Sequence, residues 1–281
     1  MVEGIAGFLR FIRFSHTVFA LPFALGSMVV AARGLPDWRV SAGIVIAAVF
    51  ARTAAMTFNR LADWEIDRRN PRTVGRHLLV GRGVAAGACA ISAVGFLACS
   101  WWINPLCGIL SPVALAILFF YSFTKRFTHF AQFFLGLALS VAPVGAWLAL
   151  TGAFAFAPLV LAGAVLFWVA GFDLIYATQD YETDTREGLK SMVVWLGIPG
   201  ALRLASVLHL ASLVGFAGFG YAAGLGGIYY FSLLAVVAGF AYEHREARRG
   251  DIDSINRAFF HANALVGAAF VAGVWTDILL A

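Results

Sequence analysis

The chain has 281 residues, of which 61% are hydrophobic and 12% are charged, and its formal net charge is +5. Soluble globular proteins carry roughly 25% charged residues, so this composition excludes an ordinary soluble domain and predicts an integral membrane protein. The positive charges form no basic stripe with stacking aromatic residues, which excludes a nucleic-acid-binding surface, and no obligate protein partner is evident.

Apolar runs of about twenty residues, the length that crosses a bilayer, recur from end to end between short charged connections. The first run is longer than the hydrophobic region of a signal peptide, so we expect a membrane span there. Residues 1–281 are predicted to form one all-α transmembrane domain. The nine predicted transmembrane helices cover about 14–33, 42–65, 84–103, 107–123, 130–151, 157–178, 198–220, 224–243 and 258–279.

Cationic residues divide sharply between the two sets of connections. Most of them lie before the first span or after the second, fourth, sixth and eighth spans, whereas only Arg33 and Arg39 lie on the opposite side. By the positive-inside bias, we predict that the N-terminus and these charged connections are cytoplasmic and that the C-terminus is outside. The membrane is expected to be that of a bacterial or archaeal cell.

The second predicted span ends in a row of oxygen-bearing side chains. Asn59, Asp63 and Asp67 follow one another at a spacing of four, which places neighbours on the same side of a helix. Ionisable groups at the end of a membrane span are costly unless they serve a site. One such pair alone is weak evidence, because carboxylates at helix ends usually face water.

The sixth predicted span carries a second row, in which Asp180 and Asp184 repeat this spacing and Asp173 lies seven residues earlier. Both spans are even-numbered, so the two rows should emerge on the cytoplasmic side and face each other across a cavity. Like charges that converge there repel strongly unless a cation lies between them. Oxygen ligands favour Mg²⁺, which usually completes its coordination with water and substrate phosphate oxygens.

Basic residues near the acidic rows are candidates for binding the phosphates of that substrate, because Arg and Lys anchor phosphate groups well. Most basic residues in these connections are explained by membrane topology alone. The three that we predict as substrate ligands are Arg72, Arg76 and Lys125.

Arg52 precedes Asn59 by seven residues and lies two helical turns deeper in the membrane. An unpaired arginine at that depth is expensive, which leaves two roles open. It either pairs with Asp173 or receives a carboxylate group of the substrate. Tyr121 and Tyr176 are candidates for lining the substrate pocket, with packing in the protein core as the alternative.

At these residues the chain resembles the UbiA superfamily of membrane prenyltransferases, and the resemblance spans most of the chain. Family members often have Asp after the leading Asn of the first motif, where this chain has Arg60, so we expect that position to lie off the metal-binding face. Two paired signatures in order make the resemblance specific. They are Asn59-x3-Asp63-x3-Asp67 with Asn70-Pro71-Arg72-Thr73 and Arg76, and Asp173-x2-Tyr176-x2-Gln179-Asp180-x3-Asp184, with further matches at Ile12-Arg13-Phe-Ser-His16-Thr and Tyr121-Ser-Phe-Thr-Lys125-Arg126.

The resemblance implies nine helices around a central cavity that holds an isoprenoid diphosphate. It implies that Arg76 and Lys125 bind the diphosphate, and that Arg52 and Asp173 lie near an aromatic acceptor. The implied ligands of the bridging Mg²⁺ are Asn59, Asp63, Asp67, Asp180 and Asp184.

We predict a transfer in which the allylic carbon–oxygen bond of a polyprenyl diphosphate ionises and an aromatic ring captures the resulting cation. The predicted catalytic residues are Asp63 and Asp180, which hold the metal, and Asp173, which orients or deprotonates the acceptor hydroxyl. The acceptor is predicted to be an aromatic acid of quinone biosynthesis. The runs Phe19-Ala-Leu-Pro-Phe and Asn70-Pro-Arg-Thr resemble the branch that uses 4-hydroxybenzoate, the precursor of ubiquinone-type quinones.

Two alternatives remain open from the sequence. Enzymes acting on 1,4-dihydroxy-6-naphthoate, in the futalosine route to menaquinone, are grouped with the 4-hydroxybenzoate branch and use an acceptor that also carries a carboxylate. The alternative of another class is a proton- or cation-coupled membrane transporter. Transporter sites usually lie near the bilayer midplane in inverted repeats, whereas these carboxylates gather at one face.

Overall fold

The computed structural model describes residues 2–13 and 19–280, and every regular element in these ranges is helical. The predicted all-α class is confirmed. Three short 3₁₀ turns lie at Arg76–Leu78, Tyr121–Arg126 and Thr178–Asp180. The α-helices are α1 Val2–Phe11, α2 Leu21–Ala32, α3 Trp38–Ala62, α4 Trp64–Arg69, α5 Arg82–Ile103, α6 Pro105–Phe120, α7 Ala131–Thr151, α8 Phe156–Ala177, α9 Tyr181–Arg186, α10 Met192–Ala223, α11 Gly227–Ala247 and α12 Ile252–Leu280.

Each of the nine predicted spans overlaps one of these helices. In the part of the chain that the structure describes, seven helical segments are long and apolar enough to cross a membrane. Five are α3, α5, α7, α10 and α12, and the other two are Pro105–Arg126, which begins with α6, and Phe156–Arg186, which begins with α8. Helix α2 is apolar but has 12 residues, and the predicted start of the first span at 14–18 lies outside the described residues. Helix α11 has 21 residues and ends in a polar turn with His244 and Arg245. The membrane class is confirmed, and the count of nine is approximate.

Local sequence signals define several helix ends. The Asp37 side chain accepts hydrogen bonds from the backbone at the start of α3, and Asn104 does the same at the start of α6. Ser191 caps α10, which ends at Gly224 with a left-handed φ of 69°. Polar caps satisfy backbone N–H groups that would otherwise be unpaired, and glycine adopts the left-handed conformation without strain.

Helix α8 is the central helix of the bundle and packs against α7 on one side and α10 on the other. Its fully buried residues include Leu161, Val165 and Trp168. Gly136 of α7 lies so close to α8 that an added Cβ would come within 2.4 Å of the Leu166 carbonyl oxygen. Such small residues let membrane helices approach closely, and Gly136 lets α7 pack directly against the middle of α8.

Candidate active site

The first acidic row lies where α3 ends at Ala62 and the chain continues into α4. Backbone hydrogen bonds from Asp63 to Asn59 (2.9 Å) and from Asp67 to Asp63 (2.7 Å) carry the helical path across this junction. Asn59 Nδ2 donates to Asp63 Oδ2 at 3.2 Å and lies 3.5 Å from Ser122 Oγ. Asn59 and Asp63 therefore share one side of the helix, as their spacing predicts.

Asp67 is turned away from that side and contacts two arginines. Arg76 Nη1 donates to its Oδ1 at 2.9 Å, and Arg60 Nη1 lies 3.5 Å from its Oδ2. Two steps of four residues rotate Asp67 by about 80° from Asn59, which brings it beneath Arg60. The buried Arg60 thus lies beside Asp67, away from the side that Asn59 and Asp63 share, and the expectation that it lies off the metal-binding face stays a prediction.

The second row follows the end of α8, and it is tied directly to the loop after the first row. Asp180 is 6% exposed. Its Oδ1 accepts hydrogen bonds from Arg72 Nε at 2.9 Å and from Asn70 Nδ2 at 3.1 Å, and its Oδ2 accepts one from Arg72 Nη2. The two rows meet at one end of the bundle, as the sequence predicts.

The 3₁₀ turn after α6 supplies two further cations to this end of the bundle. Lys125 Nζ lies 3.4 Å from Asp184 Oδ2, and Arg126 Nη2 lies 3.4 Å from Asp63 Oδ1. The Lys125 carbonyl accepts the Lys190 N–H at 2.7 Å, which fastens the connection after α9 to this turn. Lys125 therefore contacts Asp184 through its side chain and the connection after α9 through its backbone.

Burial and charge together shift the titration of groups beyond the ends of the spans. Burial, followed by the charge of Asp67, raises the pKa of Asp63. Burial alone would lower the pKa of Arg72, but its hydrogen bond and charge pairing with Asp180 outweigh burial and raise it. Burial lowers the pKa of Arg76 to about 10, so its guanidinium stays protonated at neutral pH.

Each predicted metal-ligating carboxylate is paired with a cation. Within residues 2–13 and 19–280, no three His, Cys, Asp or Glu side chains converge closely enough to hold a metal ion by themselves. Further ligands for a metal would therefore have to come from Asn59 or from a bound molecule. The carboxylate–cation pairs are Asp63–Arg126, Asp67–Arg76, Asp180–Arg72 and Asp184–Lys125.

Arg52 and Asp173, the pair proposed for the floor of the pocket, are not joined to each other. Arg52 Nη2 donates to the backbone carbonyl of Arg13 at 3.0 Å, and its buried Nε has no hydrogen-bond partner among the described residues. No ion pair in the described part of the chain involves Asp173, which is half-buried. Among the described residues, the Nε–H of Arg52 and the carboxylate of Asp173 are thus available to bind a substrate.

The Tyr176 side chain contacts two arginines. Its hydroxyl accepts hydrogen bonds from Arg13 Nη1 at 2.8 Å and from Arg72 Nη1 at 3.0 Å. The two guanidinium carbons lie 5.7 and 5.3 Å from its ring centroid, and Phe259 packs 4.4 Å away. Sequence reasoning missed Arg13 as a site residue, although it lies in one of the segments that carry the family resemblance. Tyr121 begins the 3₁₀ turn that carries Lys125.

Comparisons with known proteins identify relatives of this chain by sequence and by fold. The model of the UbiA prenyltransferase family matches residues 20–265. A 4-hydroxybenzoate octaprenyltransferase of Vibrio parahaemolyticus serotype O3:K6 is 33% identical over 251 residues, which cover 88% of each chain. The apo structure of a UbiA homolog from Aeropyrum pernix K1 is 30% identical with a TM-score of 0.85, covering 94% of this chain and 98% of that one. A structure of a UbiA homolog from Archaeoglobus fulgidus bound to GPP and Mg²⁺ shares the fold, with 23% identity, a TM-score of 0.74 and coverage of 97% and 99%.

Proposed function

The chain belongs to the UbiA prenyltransferase family, and from that premise we propose that it transfers a polyprenyl group from an allylic polyprenyl diphosphate to 4-hydroxybenzoate. The observation that carries the proposal is the meeting of two acidic rows and their cationic partners at one end of a membrane bundle. The name of the Vibrio relative, 4-hydroxybenzoate octaprenyltransferase, supports this acceptor and a role in quinone biosynthesis.

The donor atoms of the two rows fit Mg²⁺. They are all oxygen atoms, which are the ligands that Mg²⁺ prefers, and the carboxylates among them supply negative charge that a divalent cation can balance. The Archaeoglobus homolog solved with GPP and Mg²⁺ supports the same metal here. When bound, Mg²⁺ would neutralise charge that develops on the diphosphate leaving group. The residues that we assign to hold it are Asn59, Asp63, Asp67, Asp180 and Asp184.

Three cationic side chains beside the acidic rows are the proposed ligands of the diphosphate. We assign its oxygens to Arg72, Arg76 and Lys125, whose charged groups lie against the two acidic rows. Guanidinium groups donate two parallel hydrogen bonds to phosphate, and the ammonium adds a point charge. Tyr176 keeps Arg72 in position through its hydroxyl. These donors stabilise the diphosphate as the allylic carbon–oxygen bond breaks and its electron pair stays on oxygen.

The acceptor is assigned to the pocket floor. The unpartnered Nε of Arg52 suits the carboxylate of an aromatic acid, and this buried donor would otherwise remain unsatisfied. Asp173 carries a carboxylate with no ion-pair partner among the described residues, so it can accept the proton of the acceptor hydroxyl. The ring carbon next to that hydroxyl then forms the new bond to the allylic carbon. The proton on that carbon is released to water, and Asp173 returns its proton to the ring oxygen, which restores the aromatic phenol.

An assay of the purified protein in lipid tests this assignment. It would contain Mg²⁺, one radiolabelled allylic diphosphate, and either 4-hydroxybenzoate or 1,4-dihydroxy-6-naphthoate. We expect a prenylated ring and released diphosphate, faster with 4-hydroxybenzoate; a reversed preference would assign the naphthoate acceptor. Ion flux without either substrate would instead indicate a transporter.

Matched variants separate the site from the fold. We expect Asp63→Ala and Asp180→Ala to abolish turnover, because each removes a proposed metal ligand. Glu65→Gln is the control, because Glu65 lies on the neighbouring helix α4 with its side chain 65% exposed. Near-normal rates in either alanine variant would refute the assignment.

We also propose that the acidic rows face the cytoplasm and that the C-terminus lies outside, because the cationic connections gather at the end of the bundle that carries the site. A reporter domain that is active only outside the cell, fused after residue 281, should then be active. Activity of a cytoplasm-specific reporter at the same position would reverse the orientation.

A further inference from the structure

A separate cavity lies at the end of the bundle opposite the acidic rows, where α2, α10, α11 and α12 meet. Its volume is about 480 Å³. Arg33 and Asp277 line it together with the glycine-rich connection between α10 and α11, and the apolar side chains of Ile228 and Leu280 form part of its wall. Cation, anion and apolar surface therefore share one cavity at the boundary of the bundle.

Arg33 calls for an explanation because few cationic residues lie at this end of the bundle. It adopts a left-handed backbone conformation with φ of 53°, which is unfavourable for a residue other than glycine. Its Nη1 donates to the Ala223 carbonyl at 3.2 Å, at the C-terminal end of α10, where a positive charge is favoured. That bond occupies one of the five N–H donors of a guanidinium, and no ion pair engages Arg33 in the described part of the chain.

Asp277 is the buried anion of the same cavity, with 6% of its surface exposed. Its two oxygens accept the backbone N–H groups of Gly226 at 2.6 Å and Tyr229 at 3.2 Å. Capping of α11 explains these two bonds. It leaves unexplained that Asp277 and Arg33 line one cavity without forming an ion pair with each other, although both are described.

We propose that this cavity binds the phosphoethanolamine headgroup of a membrane phospholipid, with the phosphate on Arg33 and the primary ammonium beside Asp277. A ligand that carries both a phosphate and an ammonium group can pair with Arg33 and Asp277 at the same time, although these two side chains form no ion pair with each other. Ile228 and Leu280, which line the cavity, are 43% and 73% exposed and offer apolar surface to the acyl chains of such a lipid. A choline headgroup has no N–H donor for the carboxylate, and a glycerol headgroup has no positive charge, so the pair of residues favours ethanolamine.

Native mass spectrometry of the purified full-length protein tests the proposal, with phosphatidylethanolamine, phosphatidylcholine and phosphatidylglycerol offered at equal concentration. We expect preferential retention of phosphatidylethanolamine. Because Arg33→Gln removes a charged donor to phosphate, it should weaken that binding by roughly tenfold or more. Asp277→Asn should remove the preference over phosphatidylcholine.

The control variant is Arg39→Gln. Arg39 is the other arginine at this end of the bundle, and its guanidinium lies over the Trp38 ring, 5.7 Å from the centroid, rather than in the cavity. It should bind phosphatidylethanolamine like the unmodified protein. Arg33 is exposed, so Arg33→Gln is expected to fold, and its result decides the question even where Asp277→Asn does not fold. Equal retention of the ethanolamine and choline lipids, a preference for phosphatidylglycerol, or undiminished binding by Arg33→Gln would overturn the proposal.

Discussion

Replacing Arg72 by alanine tests whether its ion pair with Asp180, which connects the loop after the first acidic row to the second row, stabilises the site. Arg72 donates two hydrogen bonds to Asp180 and one to Tyr176, and the Arg72 and Asp180 side chains are 22% and 9% exposed. Among the described residues, Arg72→Ala leaves the Asn70 amide as the one hydrogen-bond donor to the Asp180 carboxylate. Breaking a buried ion pair costs about 3–5 kcal/mol, and partial exposure reduces this to about 2–3 kcal/mol.

The control for this variant is Arg69→Ala, in the same segment. Arg69 pairs with Glu187 at 3.2 Å, but its side chain is 60% exposed. Such surface pairs contribute about 0–1 kcal/mol. The free energy of unfolding would be compared by denaturation in detergent. An Arg72→Ala variant no less stable than Arg69→Ala would refute the reasoning.

A double variant separates stability from catalysis. Arg72→Ala combined with Asp180→Asn removes the unpaired buried charge, so its loss of stability should be smaller than the sum of the two single losses. It should remain inactive, because a proposed diphosphate ligand and a proposed metal ligand are both gone. Arg72→Ala alone should lower kcat/KM for the prenyl diphosphate roughly a hundredfold. Additive stability losses would show that the contact is not a coupled pair.

Three further predictions concern other parts of the molecule. The pKa of Asp63 is higher in the folded than in the unfolded protein, so the ionised carboxylate destabilises the metal-free fold increasingly as the pH rises from the unfolded to the folded pKa. Asp63→Asn should therefore raise the melting temperature at neutral pH and have no such effect at low pH. A gain that does not depend on pH would contradict this cause. Arg52→Gln should raise KM for 4-hydroxybenzoate roughly tenfold while leaving KM for the prenyl diphosphate unchanged. Steady-state kinetics that show equal effects on both KM values would contradict the assignment of Arg52 to the acceptor site. Gly136→Ala should cost about 1–3 kcal/mol of stability, because the added Cβ would press on α8. Gly163→Ala is the control, because there is open space where its Cβ would lie. Equal melting temperatures of the two variants would disprove the close contact.

The membrane class, the helices and the neighbouring pairs of site residues were predictable because they are local properties of the chain. The sixth span was predicted at 157–178, and α8 runs over Phe156–Ala177. A run of apolar residues must satisfy its backbone internally in lipid, and it does so as a helix whatever surrounds it. Residues four apart then share a side, which is why Asn59 and Asp63 could be paired from their spacing.

The connections after the spans were less predictable. Short helices α4 and α9 and the turns beside them fall in segments that apolar periodicity does not describe, because these residues lie beyond the hydrophobic runs. Their positions depend on contacts such as the hydrogen bond between Asn70 and Asp180, which are 110 residues apart in sequence. The Arg60–Asp67 contact was missed because spacing by four was treated as exact alignment, although a helix turns by about 40° more than a full circle over four residues.

By itself, the sequence determined that this protein lies in a membrane, that it is helical, and that two carboxylate rows stand at helix ends on the same side. Only the tertiary structure decided which cation lies on which carboxylate, that Arg13 and Arg72 share the hydroxyl of Tyr176, and that Arg52 contacts a backbone carbonyl rather than Asp173. The reason is physical. Spacing along one helix sets the direction of its side chains, whereas the partner of a charged group depends on how separate helices rotate and dock, and that follows from packing over the whole bundle.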